Sequence, residues 1–181
     1  MIVTDHKLMT KEDAAEWTIA ADSFLHTVRM REGEHILWLG EDASPLLSKI
    51  AIEKARVITA SPSASPFAEA QFDGVAGQLG IHFWDEGEDW LRKSFDLLKA
   101  GGRLVIDLAE EGALRHIEDI AYIKSLPYYW DLLREIGFET IFVQQVTARS
   151  TVEAIGQGWT ELIETPELPI VVNRFIALKG C

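Results

Sequence analysis

Apolar residues along this chain fall into short continuous runs separated by stretches with helical spacing. Thr10-Lys11-Glu12-Asp13 sets a hydroxyl three residues before a carboxylate, and Ala14, Trp17, Ala21, Phe24, Leu25 and Val28 follow on one helical face. A capping box leading into such a stripe predicts a helix over about residues 11–29. Gly33 interrupts the pattern, and Ile36-Leu37-Trp38-Leu39 then runs apolar at every position until Gly40. So short a run predicts a buried strand entering a tight turn. Ser44-Pro45 suits the N-cap and first position of a helix that buries Leu46, Leu47, Ile50 and Ala51.

Arg56 to Ala60, with Val57 and Ile58, predicts a second strand, and Ser61-Pro62-Ser63-Ala64-Ser65-Pro66 after it cannot sustain regular structure. Phe72 to Gly77 predicts a third strand. Trp90, Leu91, Phe95, Leu97 and Leu98 mark a helix ended by Gly101-Gly102, and Leu104 to Leu108 a fourth strand. Strands alternating with helices imply a parallel sheet covered on both faces. Leu114, Ile117, Ile120 and Ala121 predict one amphipathic helix, and Pro127 opens another through Trp130, Leu132, Leu133 and Ile136 to Gly137. Thr140 to Val146 and Ile170 to Leu178 predict two strands, joined by a long connection and paired antiparallel at the end of the sheet. The expected organisation is a single domain over 1–181: an N-terminal helix at 10–30, a parallel βα core at 33–108, and C-terminal helices with a hairpin at 113–181.

Composition narrows the function. With 181 residues and 48% hydrophobic content the chain can bury one substantial core. Its 17 Lys and Arg against 29 Asp and Glu, a formal charge of −12, would repel a phosphate backbone, so no nucleic-acid partner is expected. The one cysteine, Cys181, permits neither an intrachain disulfide nor a thiolate metal cluster, and the histidines lack metal-ligand spacing. No apolar signal core opens the chain and no stretch approaches the roughly 20 apolar residues of a membrane helix. A soluble, cytoplasmic protein without a metal is the expectation.

Residues 33–40, Gly-Glu-His-Ile-Leu-Trp-Leu-Gly, resemble the first motif of class I S-adenosylmethionine-dependent methyltransferases, a strand running into a glycine-rich cofactor loop. Residues 71–107 are similar to that family's fourth strand, following helix and fifth strand, with Lys99-Ala-Gly-Gly-Arg-Leu-Val-Ile-Asp as the turn into the last. Leu132-Leu-Arg-Glu-Ile-Gly-Phe-Glu-Thr-Ile-Phe-Val resembles its last helix and sixth strand. The resemblance implies an α/β, Rossmann-like methyltransferase fold: a mostly parallel sheet, a C-terminal antiparallel hairpin, and a ligand crevice at the carboxyl ends of the strands. Only about ten residues lie between Ala60 and Phe72, too few for the family's usual helix and third strand, so one edge βα unit is expected to be missing.

The family's cofactor loop is Gly-x-Gly-x-Gly, because absent side chains let the backbone approach the cofactor. Here it reads Gly40-Glu41-Asp42-Ala43-Ser44. Glu41 and Asp42 either stabilise the following helix dipole or offer a carboxylate to the cofactor's positive charge. The acidic residue that grips two ribose hydroxyls falls near Ser61, which has a single hydroxyl. Gly40, Glu41, Asp42 and Ser61 are therefore the cofactor-binding candidates in a degenerate site. On the substrate side, Gln78 could hydrogen-bond a ligand, and His82, oriented by Asp85, could act as the catalytic base. The plainer reading of His82, Phe83 and Trp84 is packing at a helix start. Trp84 and Tyr128 are further substrate-binding candidates, for a planar or apolar ligand. The implied function is a divergent methyltransferase-like protein that serves as a non-catalytic partner or regulatory subunit, with a protein partner or a second copy of itself. The alternative is an active small-molecule methyltransferase with an altered pocket.

Overall fold

The computed structural model describes residues 2–3, 24–40, 55–62, 67–115, 117–159 and 168–181. The helix expected at residues 44–51 and most of that expected at 11–29 lie outside these; residues 24–28 are helical. The strands are β1 (Ile2–Val3), β2 (His35–Leu39), β3 (Arg56–Ala60), β4 (Phe72–Gly77), β5 (Leu98–Ala109), β6 (Thr140–Ala148) and β7 (Ile170–Leu178). They form one sheet in the order β1-β6-β7-β5-β4-β2-β3. All neighbours are parallel except β7, which runs antiparallel to both β5 and β6. The expected fold is observed, and β3 is the edge strand on its side: among the described residues between Ala60 and Phe72 there is no further strand. β1, two residues paired with Gln144 and Gln145 of β6, is too short to leave a sequence pattern.

Alternation along β5 divides its side chains between two cores. Leu104, Ile106 and Leu108 join Leu37, Leu39, Val75 and Phe175 in one cluster, whereas Val105 joins Ile36, Trp38, Ala76 and Phe24 in another. The first is covered by the helices Gly87–Leu97 and Leu126–Ile136. Helix Leu126–Ile136 forms where the sequence places it: Ser125 Oγ accepts from the Tyr128 N–H, Pro127 occupies the first turn, and Gly137 at φ 124 ends the helix.

Three expectations fail, each for a visible reason. Gly101-Gly102 does not end a helix; the helix stops at Leu97 and the glycines lie inside β5, where pairing with β4 shifts register between Phe72 and Gly74. Gly101 adopts φ 76 and bonds back to the Lys179 and Gly180 carbonyls, a conformation a side chain would strain. The amphipathic helix expected through Ala121 is only Glu111–Leu114. Beyond it Asp119 takes φ 67, and the Ala121 and Tyr122 N–H groups bond to the His82 carbonyl instead of to a helix. The long β6–β7 connection contains an unpredicted helix, Thr151–Gly156. Ser150 Oγ caps the helix by accepting from the Glu153 N–H at 3.1 Å, and the Glu153 carboxylate reaches back to accept from the N–H of Arg149, one residue before the cap.

Candidate functional site

In an open α/β sheet the parallel strands deliver their carboxyl ends to one edge, where ligands bind. That edge carries Gly40 after β2, Ser61 after β3, Gln78 after β4, and Asp107 two residues before the end of β5. β7 runs the other way, so its early residues reach the same edge, and Arg174 sits directly opposite Asp107 in the β5–β7 register.

Asp107 and Arg174 are both fully buried. Arg174 Nε donates to Asp107 Oδ1 at 2.8 Å and Nη2 to Oδ2 at 3.1 Å, a two-pronged contact suited to a planar guanidinium. On its other side the guanidinium carbon lies 5.1 Å from the centre of the Phe24 ring. Asp107 Oδ2 also accepts the Trp159 indole N–H at 2.9 Å and, at 3.4 Å, the Gln78 amide. That amide donates at 2.6 Å to the carbonyl of Gln157. The β6–β7 connection thus folds back over the ends of β4 and β5, fastened by its indole and one backbone carbonyl. Trp159 is wholly buried and packs with Leu79, Ala109, Leu114, Val146, Ala154 and Val172.

His82, the expected base, lies in the 3-10 turn Leu79–Phe83 after β4 and is fully buried. Its Nδ1 is 2.8 Å from the Tyr122 carbonyl oxygen and its Nε2 accepts the Ala109 N–H at 2.9 Å. A carbonyl only accepts and an N–H only donates, so these partners assign the neutral Nδ1–H tautomer. Burial lowers its pKa to about 4, against the opposing pull of the Tyr122 carbonyl. In this arrangement neither ring nitrogen faces a substrate. Asp85 is exposed and does not orient the ring, whose two nitrogens bond to backbone groups of Tyr122 and Ala109 instead.

The other candidates do not converge. Gln78 belongs to the Asp107 network. Trp84 is buried edge-to-face against Trp90, ring centres 5.7 Å apart. Tyr128 lies at the surface, its hydroxyl donating to Glu88. At Gly40 the room left by the missing side chain is taken internally: an added Cβ would meet Trp38 Nε1 at 3.1 Å. The turn after β4 closes on the same place, since a Cβ at Gly80 would stand 3.4 Å from the Leu39 carbonyl oxygen and 3.6 Å from Gly40 Cα. Glu41 and Asp42 lie outside the described residues. Among the described residues no cluster of three His, Cys, Asp or Glu could hold a metal, and no helix is long and apolar enough to cross a membrane.

The site residues that spacing missed are Asp107, Arg174, Gln157 and Trp159. Their signal was present: a carboxylate inside Val105-Ile106-Asp107-Leu108 and a guanidinium inside Val171 to Ile176, each a charge in an otherwise largely apolar strand.

Residues 30–106, from the turn before β2 into β5, match the methyltransferase domain family. The chain is similar in structure to an S-adenosylmethionine-dependent methyltransferase of Methanosarcina mazei (16% identity, 86% of this chain and 96% of that chain, TM-score 0.58). It is similar to phosphoethanolamine N-methyltransferase 2 of Haemonchus contortus, in complex with phosphomonomethylethanolamine and S-adenosylhomocysteine (14% identity, 89% of this chain and 52% of that chain, TM-score 0.68). A third similar chain comes from the complex of the Haloferax volcanii Trm112 methyltransferase activator with its methyltransferase partner (13% identity, 93% of this chain and 92% of that chain, TM-score 0.63). No curated protein matches the sequence significantly. The chain has the class I methyltransferase fold, and its residues 30–106 match the model of the methyltransferase domain family.

Proposed function

We propose that this protein is a divergent methyltransferase-fold subunit with a degenerate S-adenosylmethionine site, acting as a cytoplasmic non-catalytic or regulatory partner of another protein. One observation carries the reading: the polar groups at the ends of β4 and β5 are satisfied by the chain itself, Gln78 by Gln157 and Asp107 by Arg174 and Trp159. A ligand gains affinity only where its hydrogen bonds exceed those it displaces.

The cofactor side supports the same conclusion. An adenosyl group needs open backbone at the first turn and a bidentate acceptor for its ribose. Gly40 has its open side against Trp38, and Ser61 brings one hydroxyl. The described residues do not fit the group, so no methyl-transfer step is assigned to them. The similarity to a chain from a Trm112 activator complex favours a protein partner over a solitary monomer. The alternative, an active small-molecule methyltransferase, draws on the family match at residues 30–106 and on the ligand-bound Haemonchus neighbour.

Calorimetric titration of the purified chain with S-adenosylmethionine and S-adenosylhomocysteine separates the two. The expected result is no binding at micromolar concentration, and micromolar binding would overturn the proposal in favour of the alternative.

A further inference from the structure

We infer that Gln157 and Trp159 are built-in occupants of a binding crevice at the ends of β4 and β5, and that this crevice takes a planar heteroaromatic ring carrying an N–H donor beside a carbonyl acceptor. The inference rests on the reading above that the chain closes its own site. What the connection inserts is a flat bicyclic ring, fully buried, whose N–H meets Asp107 Oδ2 at 2.9 Å, while a carbonyl oxygen two residues earlier meets the Gln78 amide at 2.6 Å. Donor, acceptor and aromatic face together are the recognition set of a lactam-type heteroaromatic ring.

The receiving side does not depend on the occupant. Asp107 is held by two bonds from Arg174 across adjacent, directly paired strands, so withdrawing the indole leaves a carboxylate that is still neutralised and still aimed. Gln78 follows β4 immediately and keeps its contact with Asp107. The occupying side is slight by comparison: a helix of six residues, Thr151–Gly156, with Val152 and Ile155 exposed and Ala154 as its buried apolar anchor. The indole of Trp159 is therefore the segment's main hold on the sheet, and once it withdraws few buried apolar contacts remain, which makes the segment a candidate for opening independently of the sheet.

The test uses the full chain and its Trp159→Ala variant, with three bicyclic probes of similar size: 2-quinolinone, with N–H beside C=O; indole, with N–H alone; and quinoline, with no N–H. In the folded variant, 2-quinolinone should bind tightest, indole next and quinoline weakest, with quinoline about tenfold below indole, the worth of one hydrogen bond to a charged group. Equal affinity for all three, or no binding to a variant with native circular dichroism, overturns the inference. Native-state hydrogen exchange of the unaltered protein gives a second reading that stands even if the variant does not fold. Amides of residues 151–159 should exchange through an opening that leaves β5 protected; exchange of the two together overturns the inference. Micromolar binding of S-adenosylmethionine by the unaltered chain would refute the proposed function and leave this probe ranking untouched.

Discussion

Replacing Arg174 by Met removes the only cation that any described contact brings to Asp107 while keeping the length of the aliphatic stem. Both residues are buried in the sheet, with side chains 1% and 0% exposed, so water cannot take the place of the guanidinium. Breaking a buried pair from one side costs about 3–5 kcal/mol, because it strands a charge where solvation is poor. The indole and the Gln78 amide still donate to the carboxylate, which favours the lower end of that range. For a chain of this length each kcal/mol moves the melting temperature by about 2–4 °C, so R174M should lower it by roughly 6–20 °C. The double variant D107N/R174M removes the stranded charge and leaves an amide oxygen for the Trp159 N–H. It should lose less stability than the two single changes added together, by at least about 1 kcal/mol. Urea denaturation followed by circular dichroism at neutral pH measures all three. An R174M protein within about 1 kcal/mol of the parent, or single effects that simply add, would refute the claim that the pair is a coupled buried unit.

Two further outcomes follow from groups around the turn after β4. His82 is neutral in the folded protein because burial holds its pKa at about 4, below the ordinary 6.5. The unfolded chain therefore takes up a proton that the folded one refuses, and His82's contribution to stability is complete above pH 6.5 and lost as pH falls from 6.5 towards 4. Histidine nitrogen NMR should show the neutral Nδ1–H tautomer persisting at pH 5.5, and a protonated ring there refutes the assignment. Gly87→Ala would drive a methyl to 2.5 Å from Tyr122 Cδ1 and 2.9 Å from the Ile81 carbonyl oxygen. The variant should lose about 1–3 kcal/mol in urea titration, and an unchanged midpoint would show that the Tyr122 ring yields freely.

Local chemistry made most of the framework legible. β2 is an apolar run ended by Gly40, β4 and β5 each carry a short apolar run, and the helix Leu126–Ile136 is bracketed by the Ser125 side-chain cap, by Pro127 and by Gly137. Strand order was accessible only through the family resemblance, since no local pattern says that β7 inserts between β5 and β6. Gly101-Gly102 misled because the same two residues serve a helix end or a bulge equally well, and register with β4 decides between them.

The site was harder to read, for a reason that also explains its chemistry. Arg174 and Trp159 reach Asp107 from 67 and 52 residues away, and the partners of His82 are two backbone groups, which leave no mark in side-chain spacing. A search for motifs weighs residues that stand out by type, such as His82 and Tyr128. It passes over a charge embedded in a strand, although burial makes that charge the costlier feature to explain. Asp107 lies in a run predicted to be the fourth strand of the parallel core and Arg174 in one predicted to pair at the end of the sheet. Two opposite charges, each required to find a partner away from water, could have been assigned to each other on that ground alone. Their pairing would then have set the β5–β7 register, because shifting β7 by one residue would send Arg174 to the opposite face and leave Asp107 without its cation.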